Sequence, residues 1–207
     1  MGDFDYIIVG GGSSGATLAG RLTADPSVKV LLLEAGPSDR SLKIKVPLGY
    51  GSLFYDQKFN WKYETEPEPE LKGRRMYWPR GKVLGGSSAI NAMVYVRGHP
   101  NDYEEWADVA PSWNWSNVEP YFKKIESWKG EESPIRGKSG PVCVSNVEND
   151  IHPLTNKYLE AGQELGFPYN RDYNGNYMEG VAVYQTTTSN GLRVSSASAY
   201  IAKKKRS

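Results

Sequence analysis

Six consecutive residues, Gly10-Gly11-Gly12-Ser13-Ser14-Gly15, stand between a β-prone run and a helical pattern, and this arrangement narrows the possible folds more than any other feature of the chain. Residues 4–9, Phe4-Asp5-Tyr6-Ile7-Ile8-Val9, have the character of a short buried strand. Gly15, Leu18, Ala19 and Leu22 then fall at i, i+3, i+4 and i+7, one face of a helix. Residues 28–33 form a second β-rich run that ends at Glu34. Strand, turn, helix and strand within about 30 residues is the size of a βαβ unit. The expected class is α/β, with a Rossmann-like opening.

The spacing has a chemical purpose. Gly10 permits the tight turn out of the strand, Gly12 lets a pyrophosphate approach the backbone, and Gly15 lets the helix pack close to the sheet. Free N–H groups at the helix start, together with the helix dipole, favour anionic phosphates. Glu34 lies at the end of the second strand, where a carboxylate accepts hydrogen bonds from both ribose hydroxyls of an adenosine and repels a 2′-phosphate, which argues against NADP. The reading is a dinucleotide site. The motif alone does not choose between FAD and NAD, although its place at the N-terminus favours FAD.

Composition limits the alternatives. The 207 residues carry a net charge of +1, with 39% apolar and 24% charged residues, as in a globular chain able to bury a core. Four basic residues, Lys203, Lys204, Lys205 and Arg206, sit in a terminal segment, 202–207. The remainder is mildly acidic and gives no nucleic-acid footprint; the tail is read as a solvated or artificial end. No run approaches the roughly 18 apolar residues of a membrane helix. The first residues lack a basic n-region, so no signal peptide is expected and the expected location is the cytoplasm. One cysteine, Cys143, leaves no intrachain disulfide and no cysteine-rich zinc site.

A second glycine cluster runs Pro79-Arg80-Gly81-Lys82-Val83-Leu84-Gly85-Gly86-Ser87-Ser88-Ala89-Ile90-Asn91 and leads into an apolar, helix-like stretch at 90–96. On chemistry alone it is either a second phosphate loop or a tight helix–helix packing site. Together, the Gly10–Gly15 turn, Glu34-Ala35-Gly36 and residues 80–98 resemble the glucose–methanol–choline (GMC) flavoprotein oxidoreductases. Residues 81–98 match that family's first signature along their whole length. Residues 97–103 with Trp106, then 172–175 and 193–197, resemble its choline dehydrogenase-like members, so the likeness covers residues 4–201.

The resemblance implies FAD as cofactor. Gly10, Gly12, Ser13, Ser14 and Gly15 would hold the pyrophosphate, and Glu34 and Ala35 the adenosine ribose. Arg80, Gly81, Val83, Gly86, Ser87, Asn91, Ala92, Met93 and Val94 would run beside the ribityl chain and the isoalloxazine, with Asn91 as polar anchor. Trp61 either touches the cofactor or is a buried anchor. Some family members attach FAD through a histidine just before this asparagine; Ile90 stands there, so non-covalent FAD is expected. The implied reaction is oxidation of a small-molecule alcohol, with a histidine base taking the hydroxyl proton and hydride passing to flavin N5, and an acceptor reoxidising the flavin.

Other chemically attractive side chains have plainer readings. His99 is read as a turn histidine and His152 as the start of a helix, and the two make no metal cluster. Tyr121, Phe122, Ile125 and Trp128 are read as one packing face of a helix over 118–128, with Ser116 as its N-cap. Arg97 either helps an anionic flavin or forms a structural ion pair. Ser87 and Ser88 lack the elbow and partnered histidine of a hydrolase. A helix over 153–165 closed by Gly166, a strand over 141–144, and extended strands over 181–188 and 193–198 complete the reading. The segments are 1–35 (opening βαβ), 36–130 (FAD-contacting loops and helices), 131–201 (start of a substrate-side region) and 202–207 (tail).

In the resembling family the FAD domain is discontinuous, and the catalytic histidine lies downstream of anything seen here. The chain is therefore expected to be an N-terminal portion without its catalytic base. Two other readings stand beside it: a hydroxynitrile lyase-like enzyme that keeps FAD without net redox, and a truncated, inactive chain acting as an interaction module.

Overall fold

The computed structural model describes residues 3–202, so the basic tail from Lys203 lies outside the described residues. They form two compact units: one runs to Met93 and resumes at Thr188, and the other is Val94–Thr187.

The first unit opens as its sequence directs. β1 (Tyr6–Val9) leads through the glycine turn into α1 (Ser13–Leu22), and β2 (Val30–Leu33) returns parallel to β1. The register pairs Tyr6 with Val30 and Val9 with Leu33. Ala16 and Ala19 are buried on the inner face of α1. The expectation of a buried first strand is corrected: Ile7 and Val9 are 63% and 85% exposed. Their apolar side chains suit a strand covered on both faces, whereas β1 and β2 form a two-stranded sheet among the described residues.

Two short helices follow, α2 (Leu42–Lys45) and α3 (Tyr50–Leu53), and then an antiparallel pair, β3 (Tyr63–Glu64) with β4 (Tyr77–Trp78). This pair carries the chain into the second glycine cluster, which turns through a 3-10 segment, Gly86–Ala89. Ile44, Leu53, Phe59, Val83, Ala89 and Ile90 close the core beneath it. The helix expected over 90–96 does not form. Asn91 Oδ1 accepts the Met93 backbone N–H at 3.1 Å, and Met93 has φ +64°, so the local side-chain bond turns the chain where a helix would continue.

The second unit holds α4 (Pro100–Ala107), α5 (Trp115–Ile125), β5 (Glu126–Trp128) parallel to β6 (Val142–Val144), and α6 (Pro153–Glu164). The expected 118–128 helix starts earlier, at Trp115, because Asn114 is its N-cap and accepts the Asn117 N–H at 3.0 Å. It stops at Ile125 because Glu126 joins β5 and buries its carboxylate among Arg97, Arg136 and the Gly137 N–H. Trp128 therefore leaves the expected packing face, and Tyr121 is exposed. Phe122 instead joins Tyr103 and Trp115, with ring centroids 5.4 to 6.0 Å apart. α6 ends one residue before the expected limit, ahead of Gly166, and residues 181–187 make isolated bridges rather than a strand.

The chain re-enters the first unit as a tight hairpin, β7 (Thr188–Ser189) and β8 (Leu192–Arg193), turning at Asn190-Gly191 with positive φ at both. The strand expected over 193–198 is cut short at Arg193. Ser195 and Ser198 hydroxyls each accept the other's backbone N–H, at 3.2 and 2.9 Å, and a π-helical segment, Ala197–Ile201, begins there and packs on α1.

Candidate functional site

Within the first unit a cavity of about 600 Å³ is lined by Val9, Gly10, Gly12, Leu33, Glu34, Ala35, Trp61, Gly81 and Gly86. It sits at the carboxyl ends of β1 and β2, beside the start of α1, where ligands of open α/β sheets bind. Gly12 caps α1 with no side-chain bond, and the first turn carries no acidic residue. The first-turn N–H groups and the positive end of the helix dipole are left for an anion. Ser13 and Ser14 stand exposed in that turn. Gly15 has a packing role: a Cβ there would lie 1.9 Å from the Gly10 carbonyl oxygen.

Glu34 is half-buried and doubly held. Gly11 N donates to Oε2 at 2.7 Å, and Gly36 N donates to Oε1 at 2.8 Å. An ionised carboxylate has about four acceptor sites, so each oxygen keeps capacity for a ribose hydroxyl while the backbone fixes the group at the cavity wall.

The second glycine cluster turns out to pack against the first. Gly85 N donates to Gly11 O at 2.7 Å. Gly86, at φ +54°, comes so near that a Cβ on it would lie 2.7 Å from Gly12 Cα. Gly81 N donates to Ser87 Oγ at 3.1 Å, which ties the loop upon itself. The cluster thus packs on the glycine turn at the start of α1, and its Gly81 and Gly86 also line the cavity.

Seven of the residues assigned from sequence, Gly10, Gly12, Glu34, Ala35, Trp61, Gly81 and Gly86, are brought together here. Trp61 is 41% exposed, so it is a wall and no buried anchor; it stacks on Tyr63 with centroids 5.9 Å apart. Others lie elsewhere. The Arg80 guanidinium rests 4.8 Å from the Trp78 ring centroid and donates to Pro79 O. Val83 belongs to the core. Asn91 and Ala92 are exposed, Met93 is buried, and Val94 starts the second unit in a bridge to Thr186. The sequence reading missed the apolar walls Val9 and Leu33, and Lys82, whose Nζ sits 4.6 Å from the Trp61 ring centroid. The Lys82 position inside the glycine cluster was the available signal.

The remaining attractive groups are structural. His99 and His152 cap α4 and α6 through Nδ1. Ser88 Oγ is engaged by Gly85 O and Ser196. Arg97 is buried in an ion pair with Glu126, as the structural alternative held. Among the described residues no group of three or more potential ligands holds a metal, and no helix is long and apolar enough to cross a membrane.

A βαβ opening, an uncapped helix start and a carboxylate at the end of the second strand are the marks of a dinucleotide-binding fold. Residues 4–207 match the GMC oxidoreductase family, and the chain belongs to it. It is 46% identical over 200 residues to an alcohol dehydrogenase [acceptor] of Pseudomonas putida, covering 96% of this chain and 36% of that protein. It is 46% identical over 206 residues to an oxygen-dependent choline dehydrogenase of Vibrio vulnificus, covering 98% and 37%. An FAD-dependent oxidoreductase from Chaetomium thermophilum superposes with a TM-score of 0.85 at 33% identity, over 96% of this chain and 36% of that one. The chain therefore spans little more than a third of the relatives it matches.

Proposed function

We propose that this chain is the cofactor-holding part of an FAD-dependent oxidoreductase that acts on the CH–OH group of a small-molecule alcohol. The observation that carries the reading is the Glu34 carboxylate, fixed by Gly11 and Gly36 at the wall of the cavity that the uncapped start of α1 also lines. Those two features suit the ribose and the diphosphate of one dinucleotide. Bound FAD would supply the hydride acceptor, at N5. The chain's own residues bind and orient it: first-turn N–H groups of α1 neutralise the diphosphate, Glu34 takes the ribose hydroxyls, and Trp61 with Lys82 forms a cationic aromatic wall. Asn91 and Ala92 lie exposed beyond the glycine cluster and would meet the ring. Neither histidine lines the cavity, and we assign the proton acceptor to neither.

We further propose that FAD is held without a covalent bond. Ile90, 2% exposed, occupies the position that in some resembling enzymes carries the linking histidine, and it belongs to the apolar core. Titrating the protein with FAD and with NAD tests both statements. FAD fluorescence should be quenched while NAD leaves the protein unchanged, and acid denaturation should release all flavin into the filtrate. Absence of quenching overturns the cofactor reading; flavin retained on the denatured chain overturns the non-covalent one.

A further inference from the structure

Three arginines are buried among the described residues: Arg97, Arg136 and Arg193. The first two share the Glu126 carboxylate. Arg193, 3% exposed, makes no ion pair with any described carboxylate. Its Nε donates to Ile44 O at 2.9 Å, and its NH1 donates to Asn91 Oδ1 at 2.8 Å and Ser88 O at 3.3 Å. Its NH2 is buried with no partner. Burial alone pulls its pKa down to about 10, which leaves it charged at neutral pH.

A buried, unpaired charge is costly and persists only where the surroundings hold it. Here the holders are neutral carbonyls and one side chain, Asn91. Asn91 Oδ1 takes both the Arg193 NH1 and the Met93 N–H, so its oxygen is committed to the protein. Its Nδ2 has no hydrogen bond among the described residues, and the residue is exposed. The amide cannot turn over without breaking both bonds.

We propose that Arg193 is a positioning residue for the flavin: it locks Asn91 so that Nδ2 is the donor offered to the bound FAD, and it places an uncompensated positive charge one hydrogen bond behind that donor. This rests on the FAD reading above. A buried charge is poorly screened, and the flavin gains negative charge on reduction, so Arg193 favours the reduced over the oxidised cofactor.

The test compares the FAD-loaded wild-type protein with Arg193→Gln and Arg193→Lys, reading the FAD dissociation constant and the midpoint potential of bound FAD by dye equilibration. Arg193→Gln, which removes the charge, should lower the ratio of reduced to oxidised FAD affinity about tenfold, a fall of about 30 mV for a two-electron couple. Arg193→Lys, which keeps the charge but cannot span Asn91, Ser88 and Ile44 together, should keep the potential and raise the dissociation constant about fivefold. A merely structural arginine would weaken both variants without separating their potentials. Equal potentials in Gln and Lys variants, or wild-type FAD binding in the Lys variant, overturns the proposal. If Arg193→Gln does not fold, Arg193→Met takes its place as the uncharged variant, and its potential against that of the Lys variant decides. Failure of the wild-type protein to take up FAD overturns the cofactor reading itself, and this proposal with it.

Discussion

Glu34 and Gly11 are joined by a hydrogen bond of 2.7 Å from the buried Gly11 N–H to Oε2, so the residue that closes β2 also braces the glycine turn that opens α1. The carboxylate serves fold and ligand at once. Glu34→Ala leaves the Gly11 and Gly36 N–H groups without their acceptor, and unmet buried donors cost about 1–3 kcal/mol. The expected outcome is a clear loss of thermal stability with a still larger loss of FAD affinity, about tenfold or more. Calorimetric melting and flavin titration on the same sample check it; unchanged FAD affinity would mean that Glu34 is only a brace.

Gly12 and Gly86 allow a sharper separation of folding from binding. A Cβ on Gly86 would collide with Gly12 Cα at 2.7 Å, at a residue already in the left-handed region. A Cβ on Gly12 would meet only Gly86 Cα, at 3.9 Å, which is ordinary contact, but Gly12 lines the cavity. Gly86→Ala should therefore lower the melting temperature and FAD affinity together. Gly12→Ala should fold with nearly wild-type stability and lose FAD affinity. Equal melting losses in the two variants would contradict the geometry.

The contrast between these residues also shows what a sequence exposes. The βαβ unit was readable because strand, turn and helix signals are local and because glycine spacing follows from close backbone approach. The packing of Gly86 on Gly12 was not, since it joins two distant motifs whose chemistry also suits a phosphate loop. The helix expected over 90–96 failed on one side-chain bond, from Met93 N to Asn91, that apolar periodicity does not register. Arg193 entered the reading only within the 193–197 likeness, and its bonding was not legible for a different reason: two of its three partners are the main-chain carbonyls of Ile44 and Ser88, which any residue types there would present.

In the second unit, Glu126 pairs with both Arg97 and Arg136 while accepting the Gly137 N–H at 2.7 Å. Breaking a buried ion pair by removing one partner costs about 3–5 kcal/mol, because the remaining charge stays buried. Glu126→Ala strands two guanidinium groups, although Arg136 keeps its contact with Asp172. The expected result is an unfolded or protease-sensitive second unit at 37 °C. Limited proteolysis measures it, with cleavage expected within 94–187; wild-type resistance would show the network to be dispensable.

Tyr95 offers a test of opposite sign. Its hydroxyl is buried with no hydrogen bond of good geometry, and burial, reinforced by the negative charge of Glu126 and opposed by the neighbouring Arg97, pushes its pKa up to about 12. An unpaired buried hydroxyl is unfavourable, so Tyr95→Phe should stabilise the protein by about 1 kcal/mol near neutral pH. The pH dependence follows from the same environment. The unfolded phenol ionises near pH 10, the folded one two units higher. The contribution is fully present below pH 10 and is lost as pH rises toward 12, because the unfolded chain then releases a proton that the folded chain retains. The wild-type melting temperature should therefore fall more steeply than that of Tyr95→Phe above pH 10. Parallel melting curves from pH 8 to 11.5 measure the difference, and identical slopes would show that Tyr95 titrates in the folded protein as it does in the unfolded chain.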